Sequence, residues 1–209
     1  IKEADNSNAD IVEGGYNIIE NEIISTSYQH KNNTKNHLYG YPWGKIFNNM
    51  LFSRIHFPEF YWFEDTILCL IIYSMTNKIS YINEIVYNYR INPQGITQKS
   101  IGNVKNLDSF YITKKLLQDR KKLNLSFDVD FLKAVISQIV VNFRRLKTIN
   151  NSEILKITFY FSNEIIKNYF SDDIINNSTF TIYEKNILKA LIYKKYFAYK
   201  IACRFYRGD

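Results

Sequence analysis

The sequence predicts a helix-rich α+β protein, with a small sheet within residues 1–100 and a helical carboxy-terminal region over residues 101–209. Up to about Asn92, apolar residues alternate with polar ones or form short β-branched and aromatic runs bounded by Gly, Asn and Pro. From Asn103 onward they recur every three to four residues in successive blocks. A length of 209 residues allows one domain, or one compact domain with an extension, and is ample for a real core.

In chain order, Ile1 to Asn8 is polar and lacks an initiating Met, which reads as a segment cut from something longer. Ala9 to Tyr16 predicts a strand ending near Gly14-Gly15, and Ile18 to Tyr28 a second strand, the two forming a hairpin. His30 to Asn36 is an Asn-rich loop. Neither His30 nor His37 has an acid or Cys beside it at ligand spacing, so no metal is assigned there. Trp43 to Ile55 mixes apolar and basic residues at helical spacing and is closed by Phe57-Pro58. Thr66 to Met75 reads as a helix with almost no polar face, hence buried. Lys78 to Tyr89 alternates in the strand manner, with a tight turn expected at Asn83-Glu84. Four helices are then predicted: Leu107 to Leu123, Val129 to Leu146, Ser152 to Tyr169 and Tyr183 to Tyr206. No internal repeat links them.

Composition narrows the company the chain keeps. An aromatic content of 16% requires that many rings be buried. A net charge of +7 points to an anionic partner such as a nucleotide diphosphate, anionic lipid or nucleic acid. Cys69 and Cys203 are too few and too far apart for a disulfide framework or a zinc site, which suits a reducing compartment. No basic-apolar-small signal opens the sequence, and no apolar run is long enough to span a bilayer.

The stretch that asks for a chemical explanation is Glu64-Asp65, two acids at the mouth of the apolar run Ile67 to Ile72. At the amino end of a helix they meet unpaired amide hydrogens and the positive end of the dipole. They can serve as caps there, or be held ionised at the edge of a cleft.

Five short pieces in order surround these acids: Tyr41-Pro42-Trp43-Gly44-Lys45-Ile46-Phe47, Phe57-Pro58, Phe63-Glu64-Asp65-Thr66, Tyr81-Ile82-Asn83-Glu84 and Tyr87-Asn88-Tyr89-Arg90-Ile91-Asn92. With the opening Ala9-Asp10-Ile11-Val12 and Gly14-Gly15-Tyr16, their succession resembles the second, acceptor-side half of family 2 glycosyltransferases. These are the GT-A type enzymes of bacterial capsule and cell-surface polysaccharide synthesis. The resemblance covers Ala9 to Gln98, nearly half of the chain.

It implies transfer with inversion from a nucleoside-diphosphate sugar to a glycan or lipid-linked acceptor. Asp65 would be the base that takes the acceptor proton as charge develops in the transition state. Glu64 would orient the acceptor or neighbouring groups. Trp43 would stack on a sugar ring and Lys45 meet phosphate, the alternative being a core indole beside a solvated ammonium. Arg90 would clamp the diphosphate in two-point geometry, or else pair with Glu64 or Asp65.

Such enzymes bind the nucleotide through an amino-terminal strand–helix half ending in an Asp-x-Asp element that holds a divalent metal, Mg or Mn. No such half is visible in this sequence, so the chain alone is expected neither to hold the metal nor to turn over a nucleotide sugar. The literal Asp128-Val129-Asp130 precedes a predicted helix and reads as an N-cap with a first-turn acid. Asp172-Asp173 reads as a turn.

The predicted helix from Tyr183 adds a second theme. Lys185, Lys189, Lys200, Arg204 and Arg207 gather on one sector, opposite Ile187, Leu188, Leu191, Ala198, Ile201 and Phe205. A solvated basic face is one reading, and docking of residues 183–207 on an anionic membrane surface is the other. A cytoplasmic enzyme, peripheral at the inner face of the plasma membrane, fits the second. The competing classes are a non-catalytic protein-interaction module, in which Glu64-Asp65 is structural, and a nucleic-acid binder. The last is disfavoured because the basic residues are spread along the chain with no recognisable module.

Overall fold

The computed structural model describes residues 1–29, 38 and 40–206. Two compact units emerge: Ile1–Glu59 with Glu64–Lys99, and Phe60–Phe63 with Ser100–Asp209. The fold is α+β and helix-rich, with the sheet in the first unit and the long helices in the second.

In the first unit a short helix α1 (Lys2–Ser7) leads into β1 (Ile11–Glu20), the strand on which the sheet is built. β2 (Ile23–Tyr28) pairs antiparallel with its second half and β3 (Lys45–Phe47) antiparallel with its first three residues. β4 (Ile79–Arg90) runs parallel to β1 over nearly its whole length. The β2 and β3 windows on β1 do not overlap, so those strands share one edge and β4 takes the other. The connection from β3 to β4 carries α2 (Thr66–Leu70), and Ile67, Leu68, Leu70, Ile71 and Ile72 are fully buried, as the apolar run requires.

Four local expectations are corrected. The hairpin is present, but its turn lies at Asn21-Glu22, both with positive φ (49° and 66°), not at Gly14-Gly15. The two glycines sit inside β1 because their neighbours leave no room for a side chain. A Cβ on Gly14 would lie 2.5 Å from the Val86 side chain, and one on Gly15 would lie 2.5 Å from the Tyr28 carbonyl oxygen. At Asn83-Glu84 the chain does not turn. β4 is continuous, and its pairing slips from Glu13↔Tyr81 to Gly15↔Ile85, so the extra residues form a bulge. The helix expected over Trp43 to Ile55 is absent. Gly44 has φ +72°, Lys45–Phe47 pair with β1, and only a 3₁₀ turn follows at Asn49–Phe52. The helix expected to reach Met75 breaks at Ile71 (φ −134°, ψ −64°) and resumes as a 3₁₀ turn, Ile72–Ser74.

The glycines yield a test. Gly14→Ala and Gly15→Ala are each expected to cost about 1–3 kcal/mol, the usual range for forced overpacking. Adding Val86→Ala should restore much of the first loss, because the obstruction is a side chain, and none of the second, because it is backbone. Urea unfolding measures both, and equal rescue at the two positions would refute the account.

In the second unit a 3₁₀ turn (Val104–Leu107) leads into α4 (Asp108–Lys122), counting the one-turn helix Ile96–Lys99 of the first unit as α3. Then come α5 (Val129–Lys147), α6 (Ser152–Tyr169), the single turn α7 (Asp172–Ile175) where a plain turn was expected, α8 (Ile182–Ile192) and α9 (Tyr196–Phe205). Start signals fix these helices. The Asp128 carboxylate accepts from the Phe131 amide at 2.9 Å, the N-cap role expected of it. Asn151 caps α6, and Thr181 with Glu184 forms a capping box on α8. α5 is the hub, touching α4, α6, α7, α8 and α9, and it buries Val135, Ile136, Ile139 and Val140. Polar ties cross it: the Asn142 amide bridges Ser109 and Thr113, and Arg144 donates to the Tyr206 carbonyl at 2.6 Å.

The single helix expected from Tyr183 to Tyr206 is two helices. Lys194 has φ 52°, and its amide donates to the Leu191 carbonyl while that of Lys195 donates to Ala190, the Schellman arrangement that ends α8. Lysine occupies the left-handed position where glycine is usual, so no stop signal shows in the sequence. The basic stripe therefore has no continuous helix beneath it, and Arg207, like His30 and His37, lies outside the described residues. Ile187, Leu188 and Leu191 are buried as expected, but Ala198, Ile201 and Phe205 are exposed. α9 packs instead through Tyr199, Cys203 and Tyr206. No helix among the described residues is long and apolar enough to cross a membrane.

Candidate functional site

The site is built around Glu13. In the antiparallel β1/β3 register it faces Lys45, and in the parallel β1/β4 register it faces Tyr81, so three side chains from three strands share one face. Glu13 Oε1 and Lys45 Nζ are 2.6 Å apart, and each side chain is only 1% exposed. Lys45 Nζ also donates to the Tyr41 carbonyl at 2.7 Å. Burial lowers the Lys45 pKa, opposed by its hydrogen bond to Glu13, by the charge of Glu13 and by Cys69. The ammonium expected to meet phosphate is thus engaged by a carboxylate. It fastens the Tyr41–Gly44 segment to the sheet.

α2 supplies the second wall. Asp65, Cys69 and Tyr73 follow at intervals of four residues, the spacing that aligns side chains on one helical face; at Tyr73 a 3₁₀ turn carries the row on. Electrostatics joins the two walls: Asp65 and Lys45 both act on Cys69, and Glu13 acts on Tyr73 and Tyr81. Burial, then the Asp65 charge, pushes the Cys69 thiol up to about 11, with Lys45 opposing. Tyr73 and Tyr81 are raised as well, first by burial. These groups keep their protons at neutral pH, so Cys69 is no nucleophile there.

Asp65 is the half-buried carboxylate at the lip of this cluster. It stands at the N-cap of α2, but its side chain makes no capping hydrogen bond, which leaves the capping role to its backbone alone. Glu64 beside it is exposed, and neither Glu64 nor Arg90 forms an ion pair with the other among the described residues.

Trp43 is half-buried in an aromatic wall. Its indole stacks on Tyr41 (4.7 Å), Tyr87 (5.0 Å) and Tyr89 (5.2 Å) and meets Tyr16 edge-on (4.6 Å). Much of the ring surface offered to solvent belongs to Tyr41 and Tyr87, 47% and 38% exposed. Arg90, in register with Ile19, is exposed at the other end of β4. Six residues of β1 separate Ile19 from Glu13, roughly 20 Å at about 3.3 Å per residue, so the structure does not bring Arg90 to the Glu13–Lys45 pair.

Sequence reasoning therefore found Asp65, Lys45 and Trp43, which the fold brings into one unit, and missed Glu13, Cys69, Tyr73 and Tyr81. A charge between Val12 and Gly14 in an otherwise apolar strand was the available signal for Glu13. Among the described residues no three His, Cys, Asp or Glu side chains are grouped to hold a metal ion. Asp128, in the second unit, is engaged by Ser126 and the Phe131 amide, and Asp130 pairs with Lys133 at 3.6 Å. Compared with family models, with curated proteins and with solved structures, the chain has no match in any of the three.

Proposed function

We propose that residues 1–100 form the acceptor side of an inverting glycosyltransferase that moves a sugar from a nucleoside-diphosphate donor to a cell-surface or capsular polysaccharide acceptor. The supporting observation is the half-buried Asp65 carboxylate at the amino end of α2, on the helical face it shares with Cys69, whose thiol its charge acts on. The order of motifs from Ala9 to Gln98 points the same way. In the reaction the acceptor oxygen attacks the anomeric carbon, the bond to the diphosphate breaks with its electron pair leaving on the diphosphate, and Asp65 takes the hydroxyl proton. Glu64, exposed beside it, orients the acceptor. Trp43 holds the aromatic wall against which a sugar ring can stack, and Lys45 positions that wall through Tyr41. An Arg90 contact to the diphosphate requires the donor to reach the Ile19 end of the sheet.

The reading assigns the Mg or Mn ion and the nucleotide to no residue of this chain, since Asp128 and Asp130 are otherwise engaged. The activity belongs in the cytoplasm, at the inner face of the plasma membrane where a lipid-linked acceptor is met. Asp65→Asn in the full-length protein is expected to lower sugar transfer by about 10²–10⁴-fold, the usual contribution of a general base, with folding intact. Transfer retained by a folded variant would exclude Asp65 as the base and favour a non-catalytic interaction module, in which the buried Glu13–Lys45 pair is purely structural.

A further inference from the structure

α9 turns the wrong side to solvent for an ordinary surface helix. Phe197, Ile201 and Phe205, at intervals of four, are 73%, 45% and 61% exposed, and Tyr193 in the turn before α9 is 69% exposed. At 3.6 residues per turn the three helical positions fall within about 80° of one another, so they form one stripe. The opposite face is the packed one, with Tyr199 and Cys203 at 2% and 0%. Cations border the stripe: Lys194, Lys195, Lys200 and Arg204 are all exposed. From Lys185 to Tyr206 there are six Lys and Arg residues and no acid. Beside the stripe, α8 and α9 enclose a groove of about 470 Å³ whose lining includes Lys189, Ala190, Tyr193, Lys195, Ala198 and Ile201.

We infer that the α8–α9 pair docks on an anionic lipid surface, with Tyr193, Phe197, Ile201 and Phe205 entering the headgroup–acyl boundary and the bordering cations meeting lipid phosphates. The charge pattern selects this occupant. A protein partner of ordinary surface would have to supply a wholly acidic rim, whereas a bilayer rich in anionic lipid offers apolar depth beneath a continuous negative layer. Nucleic acid offers the charge but no apolar layer for three exposed side chains at helical spacing. The stripe is not the basic sector drawn from the sequence. It includes Ile201 and Phe205, which a single continuous helix would have placed opposite the basic residues and which are exposed on α9. The inference does not use Asp65 and stands whether or not the chain belongs to a sugar transferase.

The test is cosedimentation of the full 209-residue chain with phosphatidylcholine vesicles, with and without phosphatidylglycerol. The chain is expected to bind the anionic vesicles and to be released by salt. Phe197→Ser with Phe205→Ser, both on exposed positions, should weaken partitioning at least about tenfold, as follows from losing two partly buried aromatic side chains. Lys194→Glu with Lys195→Glu should remove the preference for anionic lipid. Circular dichroism controls for folding. Failure of the unaltered chain to bind, or binding undiminished in the folded aromatic variant, would overturn the inference, as would charge-dependent capture of an oligonucleotide without vesicle binding.

Discussion

Glu13→Ala is expected to destabilise the first unit by about 3–5 kcal/mol, the range for removing one partner of a buried ion pair. The variant leaves the Lys45 ammonium, whose side chain is 1% exposed, without the carboxylate it pairs with. Replacing both members, Glu13→Met with Lys45→Met, should recover most of that loss, because two apolar side chains of similar volume need no desolvated charge. A double-mutant cycle by urea unfolding measures the coupling. The pH dependence carries a sign. A lysine whose folded pKa lies below its usual 10.5 binds fewer protons in the native than in the unfolded state, so its penalty falls as pH rises toward 10.5. Glu13 holds that pKa up, so its removal lowers it further, and the deficit of the single variant relative to the parent should shrink on the alkaline side. A double variant as unstable as the single one would refute the pairing argument.

Arg120→Ala is expected to have an effect of similar size on the second unit. Arg120 is 1% exposed, and its Nε and Nη2 both donate to the Ser126 carbonyl, at 2.8 and 2.6 Å. Its guanidinium lies 3.5 Å from the centroid of the Phe131 ring and 5.7 Å from that of Phe127. Burial brings its pKa down to about 10, with Asp128 opposing. One side chain thus clasps the connection between α4 and α5 and fills the space beside two rings. Truncation removes the clasp and opens a cavity, with an expected cost of about 3–5 kcal/mol. On a chain of this size that corresponds to a melting shift of roughly 10 °C. Arg120→Lys should recover only a small part, since an ammonium cannot donate through a planar fork while stacking on a ring. Full stability of the lysine variant would show that charge alone suffices.

What the sequence disclosed, and what it concealed, follows from how local each determinant is. α5 and α6 were legible because their apolar rhythm is long and begins at Asp128 and Asn151, residues that cap by their own side chains. The hairpin was legible, but glycine has two uses in a strand. At Gly14 and Gly15 close approach by Val86 and by the Tyr28 carbonyl is the operative one. The end of α8 was hidden because a lysine adopts the left-handed conformation. For the site, Asp65 stood out as an acid against an apolar run. Glu13 could acquire meaning only once residues 13, 45 and 81 were brought together by the sheet register, a relation that no local window contains.

The tetrapeptide Phe60–Phe63, immediately before Glu64-Asp65, belongs to the helical unit. There the Trp62 amide donates to Asp108 at 2.9 Å, Lys105 donates to the Phe60 carbonyl at 3.3 Å, and Arg145 lies 3.7 Å from the Phe63 ring centroid. Phe60 and Phe63 hold positive φ angles of 68° and 65°, which bulky residues adopt only when their surroundings impose them. The polypeptide is therefore stitched through the helical body before it supplies the acids. Cutting after Lys99 would leave the Trp62 amide without the Asp108 carboxylate and the Phe63 ring without the Arg145 guanidinium. The unit carrying Asp65 is thus interrupted in sequence by a tetrapeptide of the other unit, and a cut after Lys99 does not divide the chain at the boundary between them.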